Sequence, residues 1–409
     1  MARLPRPTGR LLTAVAGSLL VAYGAATSAA VNVFHSDLPA LALSIDDDDP
    51  VALVRNAQIN LAAGAVPAGG DNAILGIVRQ SVSDLPINAP AFRLYGLSSA
   101  ANADLPGVRE QMAVSERMER RDAAAQLWLI EDAVERNDVA GALRHYDTAL
   151  RIEQSTRAVL YPVLTDALES ETIRERFTGY MQSRPPWLES FLRFAVSNTK
   201  DPVAIAELAR ISDGFPKGSA YSSLDRELLT QLVASEDYRE AIDHFRRIDG
   251  ADEAVASGLE LTASSTAEAY NPVTWQPFSI DGIEPFVLAA PQGDGLVEIE
   301  AEMEAGYTGP VARKLLALEP GSYSMSAKLR AEDFGTQDQG TWRIVCAGNQ
   351  SADPLVNEVF DFADDMDVAA SFTVPSDCPA QLVLLTADTR VRTGYLKLVL
   401  AEAELSPAD

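Results

Sequence analysis

The sequence predicts an α+β multidomain chain: an N-terminal transmembrane or signal helix, then an α-helical repeat solenoid, then a carboxy-terminal antiparallel β-sandwich. Three observations predict it. Residues 11–34 carry no charge and follow a leader whose only charges are arginines. From about residue 38 to 250, apolar residues recur at the helical period of 3.6, with breaks at Pro or Gly. Past residue 265 the pattern changes to short alternating runs separated by Gly, Pro, Asp and Asn. A chain of 409 residues has room for two or three domains, and the expected boundaries are 1–35, 36–264 and 265–409.

Composition excludes several function classes. With 33 basic against 59 acidic residues the net charge is -26, so the phosphate-neutralising surface that a nucleic-acid partner needs is missing. At 47% hydrophobic and 22% charged residues the chain is globular in type. Three histidines and two cysteines, spread from His35 to Cys378, cannot supply a zinc or iron–sulfur site of usual spacing.

The first element is residues 11–34, LLTAVAGSLLVAYGAATSAAVNVF, preceded by Arg3, Arg6 and Arg10. As a helix this stretch is about 36 Å long, enough to cross a hydrocarbon core of about 30 Å. The arginines orient the remainder outward. The expectation is a single-pass protein of the bacterial inner membrane with its bulk in the periplasm. A cleavable signal is the alternative, with Ser28 and Ala30 at the small-residue positions before the cut. Either route leads to an oxidising compartment, where Cys346 and Cys378, the only cysteines, are expected to form a disulfide.

The second element repeats. Aligning AVERNDVAGALRHYDTAL (133–150) with LVASEDYREAIDHFRRI (232–248) places Asn137 and Asp138 over Glu236 and Asp237, Ala142 over Ala241, and Tyr146 over Phe245. The small Ala lets two helices approach closely, and the aromatic four residues on lies one turn further along the same face. Asp138 is read as a turn residue tolerant of change. Pro86, Phe92 and Gly96 mark a further unit, and Pro50 an earlier boundary. On these residues the chain resembles the tetratricopeptide repeat family over about 38–154 and 222–250. The resemblance implies a superhelix offering a concave surface to a protein segment; a bare spacer is the alternative. Residues 156–215 are helical without the signature, and Pro185 and Pro186 suit a helix start.

The third element follows the linker STAEAYNP. Runs such as GLVEIEAEMEA, GSYSMSAKLRAE, GTWRIVCAG and AQLVLLTA read as strands of a sandwich. The order LLALEPGSYSMSAKLRAE, then a Trp strand, then a Pro-Cys turn resembles the jelly roll of carbohydrate-binding modules, which implies a glycan ligand.

Candidate chemistry is sparse. Glu298, Glu300, Glu302 and Glu304 alternate with apolar residues and so share one strand face, where a calcium ion, a basic partner or open water relieves their repulsion. Asp361, Asp364, Asp365 and Asp367 lack the order of a calcium loop. Asp46–Asp49 precede a helix start. No cofactor is expected beyond that calcium ion, and no metal ligands are assigned. His145 and His244 occupy matching repeat positions, which points to architecture. No nucleophile elbow, phosphate loop or zinc-protease motif occurs, so no catalytic residue is assigned. Six aromatics of the sheet region have the type to stack on a sugar ring: Trp275, Tyr307, Tyr323, Phe334, Trp342 and Tyr395. Trp342 is expected in the core beside the disulfide, and Trp275, Tyr307 and Phe334 near turns are the expected ligand contacts.

Residues 271–409 hold 8 basic and 22 acidic side chains, a net charge of -14, so any glycan bound there is expected to be neutral or calcium-bridged. The combined expectation is a non-enzymatic scaffold. It recruits a protein partner on its repeat surface, serves cell-surface polysaccharide assembly or export, and touches the membrane through residues 11–34. A pure interaction scaffold capped by the sandwich, and a glycan hydrolase with its site in the sandwich, are the alternatives.

Overall fold

The computed structural model describes residues 8–65, 70–100, 105–291, 293, 295–348, 353–390 and 394–408. Residues 1–160 and 161–409 form two compact units. The division falls inside the helical stretch rather than at the composition change near residue 265, so the later helices belong with the sandwich.

The first unit is helical: α1 (Thr8–Phe34), α2 (Pro39–Ile45), α3 (Pro50–Ala62), α4 (Asp71–Asp84), α5 (Ala89–Ala100), α6 (Leu105–Met118), α7 (Ala123–Glu135) and α8 (Val139–Ile152). Their starts follow from capping. The carboxylates of Asp49, Asp122 and Asp138 accept from the first-turn amides of Ala52, Ala124 and Gly141, satisfying donors that an isolated helix end leaves orphaned. Asp138 is therefore an N-cap. Small residues set the close approaches: a Cβ on Gly96 of α5 would lie 3.2 Å from Met112 of α6.

The structure corrects the expectation for the amino terminus. Among the described residues no helix is long and apolar enough to cross a membrane, which overturns the single-pass inner-membrane placement. Within α1 the polar side chains of Thr27 and Asn32 fold back onto the helix backbone. Thr27 donates to the Tyr23 and Gly24 carbonyls and Asn32 to that of Ser28. Ser28 and Ala30 lie within the helix. Arg3 and Arg6 lie outside the described residues.

α9 (Arg157–Ala167) crosses the division, and the second unit continues with α10 (Glu171–Ser183), α11 (Leu188–Asn198), α12 (Pro202–Ile211), α13 (Leu224–Ala234), α14 (Tyr238–Phe245) and α15 (Glu253–Ser257). Helices starting at 71 and 105, 89 and 123, 105 and 139, and 123 and 157 are each separated by 34 residues. Later pairs drift, as in 157 to 188 and 202 to 238. The turns before α8 and α14 share one geometry, with Asn137 and Glu236 both left-handed at φ 57° and 63°. Ala142, Tyr146, Ala241 and Phe245 are all buried.

The sandwich consists of β1 (Gln276–Pro277), β2 (Ile283–Ala289), β3 (Val297–Glu304), β4 (Thr308–Leu316), β5 (Gly321–Glu332), β6 (Gln339–Cys346), β7 (Val356–Asp361), β8 (Met366–Val374), β9 (Gln381–Asp388) and β10 (Tyr395–Pro407). Two five-stranded antiparallel sheets, ordered β1-β4-β9-β6-β7 and β2-β3-β10-β5-β8, bury their alternating apolar residues between them. Trp342, Ile344, Val383 and Leu385 on the first face Ile299, Ala301, Leu329 and Leu398 on the second within one cluster, each contributing about 1.5–3 kcal/mol if large and fully buried. The outer face of the first sheet is partly covered by helices. Leu315, Val345 and Leu382 pack against Leu229, Ile242, Phe245 and Val255, so α13, α14 and α15 share a second core with the sandwich. Cys346 and Cys378 form a disulfide.

Candidate functional site

The three aromatics expected to contact ligand do not present open rings. Trp275 is 0% exposed; its indole meets that of Trp342 edge-on at 6.0 Å and its Nε1 donates to the Leu259 carbonyl at 3.1 Å. Tyr307 is buried and donates its hydroxyl to the Pro310 carbonyl at 2.6 Å. Phe334 is half-buried against the same core. Trp275 and Tyr307 are core residues, and Phe334 lies at the rim of the same core. For Trp275 the reason is non-local: Leu259 and Leu261 join the sandwich core and the Leu259 carbonyl accepts from its indole. Trp342 is core, in one cluster with both cysteines.

The acidic strand face finds partners within its own sheet. Glu298 pairs with Arg330 of β5 at 2.8 Å and Glu300 with Lys397 of β10 at 3.2 Å. Among the described residues no group of three or more His, Cys, Asp or Glu is placed to hold a metal ion. Asp49 caps α3 and Asp48 accepts from Gln80 at 2.7 Å. Asp361 accepts from Gln339 at 2.8 Å. His145 is buried in the first unit, where its Nδ1 meets Gln126 at 2.7 Å and burial pulls its pKa down. His244 is buried in the second, 3.1 Å from an Asp225 oxygen.

What the fold does create is a groove of about 900 Å³ in the second unit, between the end of the helical array and one end of the β5–β10 pair. Arg246 and Glu253 line one wall, and Glu260 and Glu319 the connecting segments. Tyr323, Ser324, Ser326, Glu404 and Ser406 line the other. Local sequence explains that wall. In GSYSMSAKLRAE the serines occupy alternate positions, so Ser324 and Ser326 share the outer face of β5 while Met325 and Ala327 enter the core. Antiparallel register then sets Ser324 beside Ser406 and Ser326 beside Glu404, and the Ser324 and Ser406 hydroxyls meet at 3.1 Å. The Tyr323 ring stacks on Phe372 at 5.9 Å and its hydroxyl donates to the Glu319 carbonyl.

The groove is acidic. Its one guanidinium, Arg246, is held by Glu253 at 2.7 Å and Asp243 at 3.2 Å, and Glu319 faces Arg239 at 3.9 Å, leaving Glu260 and Glu404 as net negative charge along the walls. Carboxylates and serine hydroxyls accept hydrogen bonds from ligand hydroxyls, while an anion is repelled. Of these residues only Tyr323 stood out in the sequence, as one of six stacking candidates. The alternating serines of β5 were the available signal.

No protein-family model matches the chain, and no curated protein matches it. Among solved structures it is similar to the carbohydrate-binding module TmCBM61 in complex with beta-1,4-galactotriose, at 8% identity and TM-score 0.27, covering 37% of this chain and 99% of that one. It is similar also to the xylan-binding domain of Paenibacillus barcinonensis Xyn10C, at 12% identity and TM-score 0.24, covering 32% and 85%. A carboxy-terminal module of Clostridium thermocellum Xyn10B matches at 13% and 0.25, covering 35% and 91%. At these values no residue role transfers to this chain.

Proposed function

We propose that this chain is a non-enzymatic binding protein whose groove between the helical array and the β5–β10 edge takes a neutral, hydroxyl-rich ligand of the glycan class. The observation that carries the reading is the lining itself: serine hydroxyls and carboxylates in adjacent register, with the Tyr323 ring also in the lining, in a cavity large enough for several sugar units. The carboxylates disfavour acidic glycans, and the serine hydroxyls favour a polyol over a bare cation. The helices of residues 1–160 then serve as a tetratricopeptide-like surface for a protein partner. Their support is the repeated separation of 34 residues between alternate helix starts. A protein that holds a glycan on one unit and a protein on the other suits a scaffold for polysaccharide assembly.

The experiment is calorimetric titration of the full chain with neutral oligosaccharides, beginning with beta-1,4-galactotriose and xylo-oligosaccharides. Binding is expected to weaken about tenfold in Tyr323→Ala, the scale of one lost aromatic contact, and to weaken also in Glu404→Gln. If no neutral oligosaccharide binds, or if binding survives both substitutions unchanged, the groove is not the site. Release of shortened sugars from the mixture would instead make the protein a hydrolase.

A further inference from the structure

A second pocket in the same unit has the opposite electrostatic character, and the groove reading does not use it. About 290 Å³ in volume, it lies where α13 meets the edge formed by β1 and β4, and is lined by Arg226, Thr230, Glu268, Asn271, Gln276 and Arg313 among others. Arg226 and Thr230 are one helical turn apart, so both reach the pocket from one face of α13. Arg313 pairs in register with Gln276; its Nε donates to Gln276 Oε1 at 2.6 Å, and its guanidinium carbon lies 5.5 Å from the Phe278 ring centroid. The Asn271 Oδ1 accepts from Thr274 at 2.9 Å, which leaves the amide NH2 as a donor.

In a chain with 59 acids against 33 bases, many cations find a carboxylate and others do not. Arg109, Arg136, Arg193, Arg210, Arg246 and Arg330 each have one. Among the described residues Arg226 and Arg313 have none, and they share a pocket. Arg313 is half-buried, and burial pulls its pKa below the usual guanidinium value with no carboxylate to offset it. A guanidinium held at Nε and backed by an aromatic ring keeps its Nη groups free for a planar, two-oxygen acceptor. Glu268, on the same wall, makes no ion pair with either arginine and is placed to accept from a ligand hydroxyl.

We propose that this pocket binds a small organic carboxylate, on the scale of a single sugar acid, with Arg313 and Arg226 as its counter-charges. A pocket of about 290 Å³ is on the scale of one such molecule. Glu268 and the Asn271 amide distinguish a hydroxylated carboxylate from a bare inorganic anion.

The test is titration of the full chain at low salt with sodium glucuronate, with glucose as neutral control and sodium sulfate as a plain anion. Glucuronate is expected to bind while glucose does not, and binding should fall as sodium chloride is raised. It should weaken about tenfold or more in Arg313→Gln, since a charge-assisted pair is lost. Arg313→Lys should lie between, and Arg226→Gln should weaken it too. Arg226 is exposed, so its variant keeps the test valid if Arg313→Gln fails to fold. Tyr323→Ala in the groove should change nothing, which separates this site from the one above. The proposal is overturned by absence of binding at about 10 mM glucuronate, weaker than ordinary millimolar recognition, by binding that survives both arginine substitutions, or by sulfate binding as well as glucuronate.

Discussion

Lys314 is expected to make the stability of the sandwich rise with pH. It is 0% exposed on β4, its Nζ donates to the Val273 carbonyl at 2.7 Å, and burial alone lowers its pKa from 10.5 to about 7. Between about pH 7 and 10.5 the unfolded chain therefore holds a proton at this residue that the folded chain lacks. Stability gains about 1.4 kcal/mol per pH unit across that window. Below it the ammonium must be carried into the fold, and the cost is complete at about 4–5 kcal/mol. Lys314→Met keeps most of the buried chain and removes the charge, but leaves the Val273 carbonyl unpaired at a pH-independent cost of about 1–3 kcal/mol.

The variant should thus be more stable than the parent at pH 7 by about 1–3 kcal/mol, lose about 3 kcal/mol of that difference by pH 9.5, and end level or below. Urea unfolding of both proteins at half-unit steps, followed through the fluorescence of Trp275 and Trp342 in the sandwich core, measures the difference directly. Comparing the two proteins cancels the self-repulsion that grows in this acidic chain as pH rises. Parallel stability curves between pH 7 and 9.5 would show that Lys314 does not titrate there, and the argument from burial would fail.

Much of the architecture was legible because it is local. Helical periodicity between residues 38 and 250 gave way to observed helices from Pro39 to Ser257, and the alternating runs after residue 265 to strands from Gln276. The cysteines, the only two in the chain, are joined. Strand alternation correctly put four glutamates on one face, yet their partners were invisible. Arg330 and Lys397 reach Glu298 and Glu300 only because β10 lies between β3 and β5, an order no local pattern encodes. The burial of Trp275 was invisible for the same kind of reason, since Leu259, whose carbonyl accepts from its indole, is distant in sequence from the strands it packs on. The uncharged stretch 11–34 failed differently: its length and lack of charge were read as a span, whereas among the described residues no helix is long and apolar enough to cross a membrane. Both pockets arise where α13–α15 meet the sheet, at contacts separated by many residues in sequence. Only the alternating serines of β5 announced one wall of the groove.

Three further outcomes are expected. Reducing the Cys346–Cys378 bridge, whose sequence separation is 32, should lower stability by about 3–4 kcal/mol in the chain-entropy account, read as a fall in the melting temperature; an unchanged transition would mean that the bridge does not constrain the unfolded chain. Ala142→Leu in the buried face of α8 should cost about 1–3 kcal/mol by overpacking, and Asp138→Ala, first read as harmless, about 1 kcal/mol because it removes the bond to the Gly141 amide at 2.9 Å; urea midpoints check both, and a neutral Asp138→Ala would remove the capping role. Trp275→Ala decides between stacking platform and core. A ligand-stacking tryptophan is exposed, so its loss weakens binding and leaves the melting temperature nearly unchanged. A tryptophan buried against Trp342 and bonded to the Leu259 carbonyl leaves a cavity and an unpaired acceptor, at a cost of about 3–5 kcal/mol. Thermal unfolding of the variant should show that loss. A fold of unaltered stability with impaired glycan binding would return Trp275 to the surface and make the segment 259–275 a lid rather than part of the core.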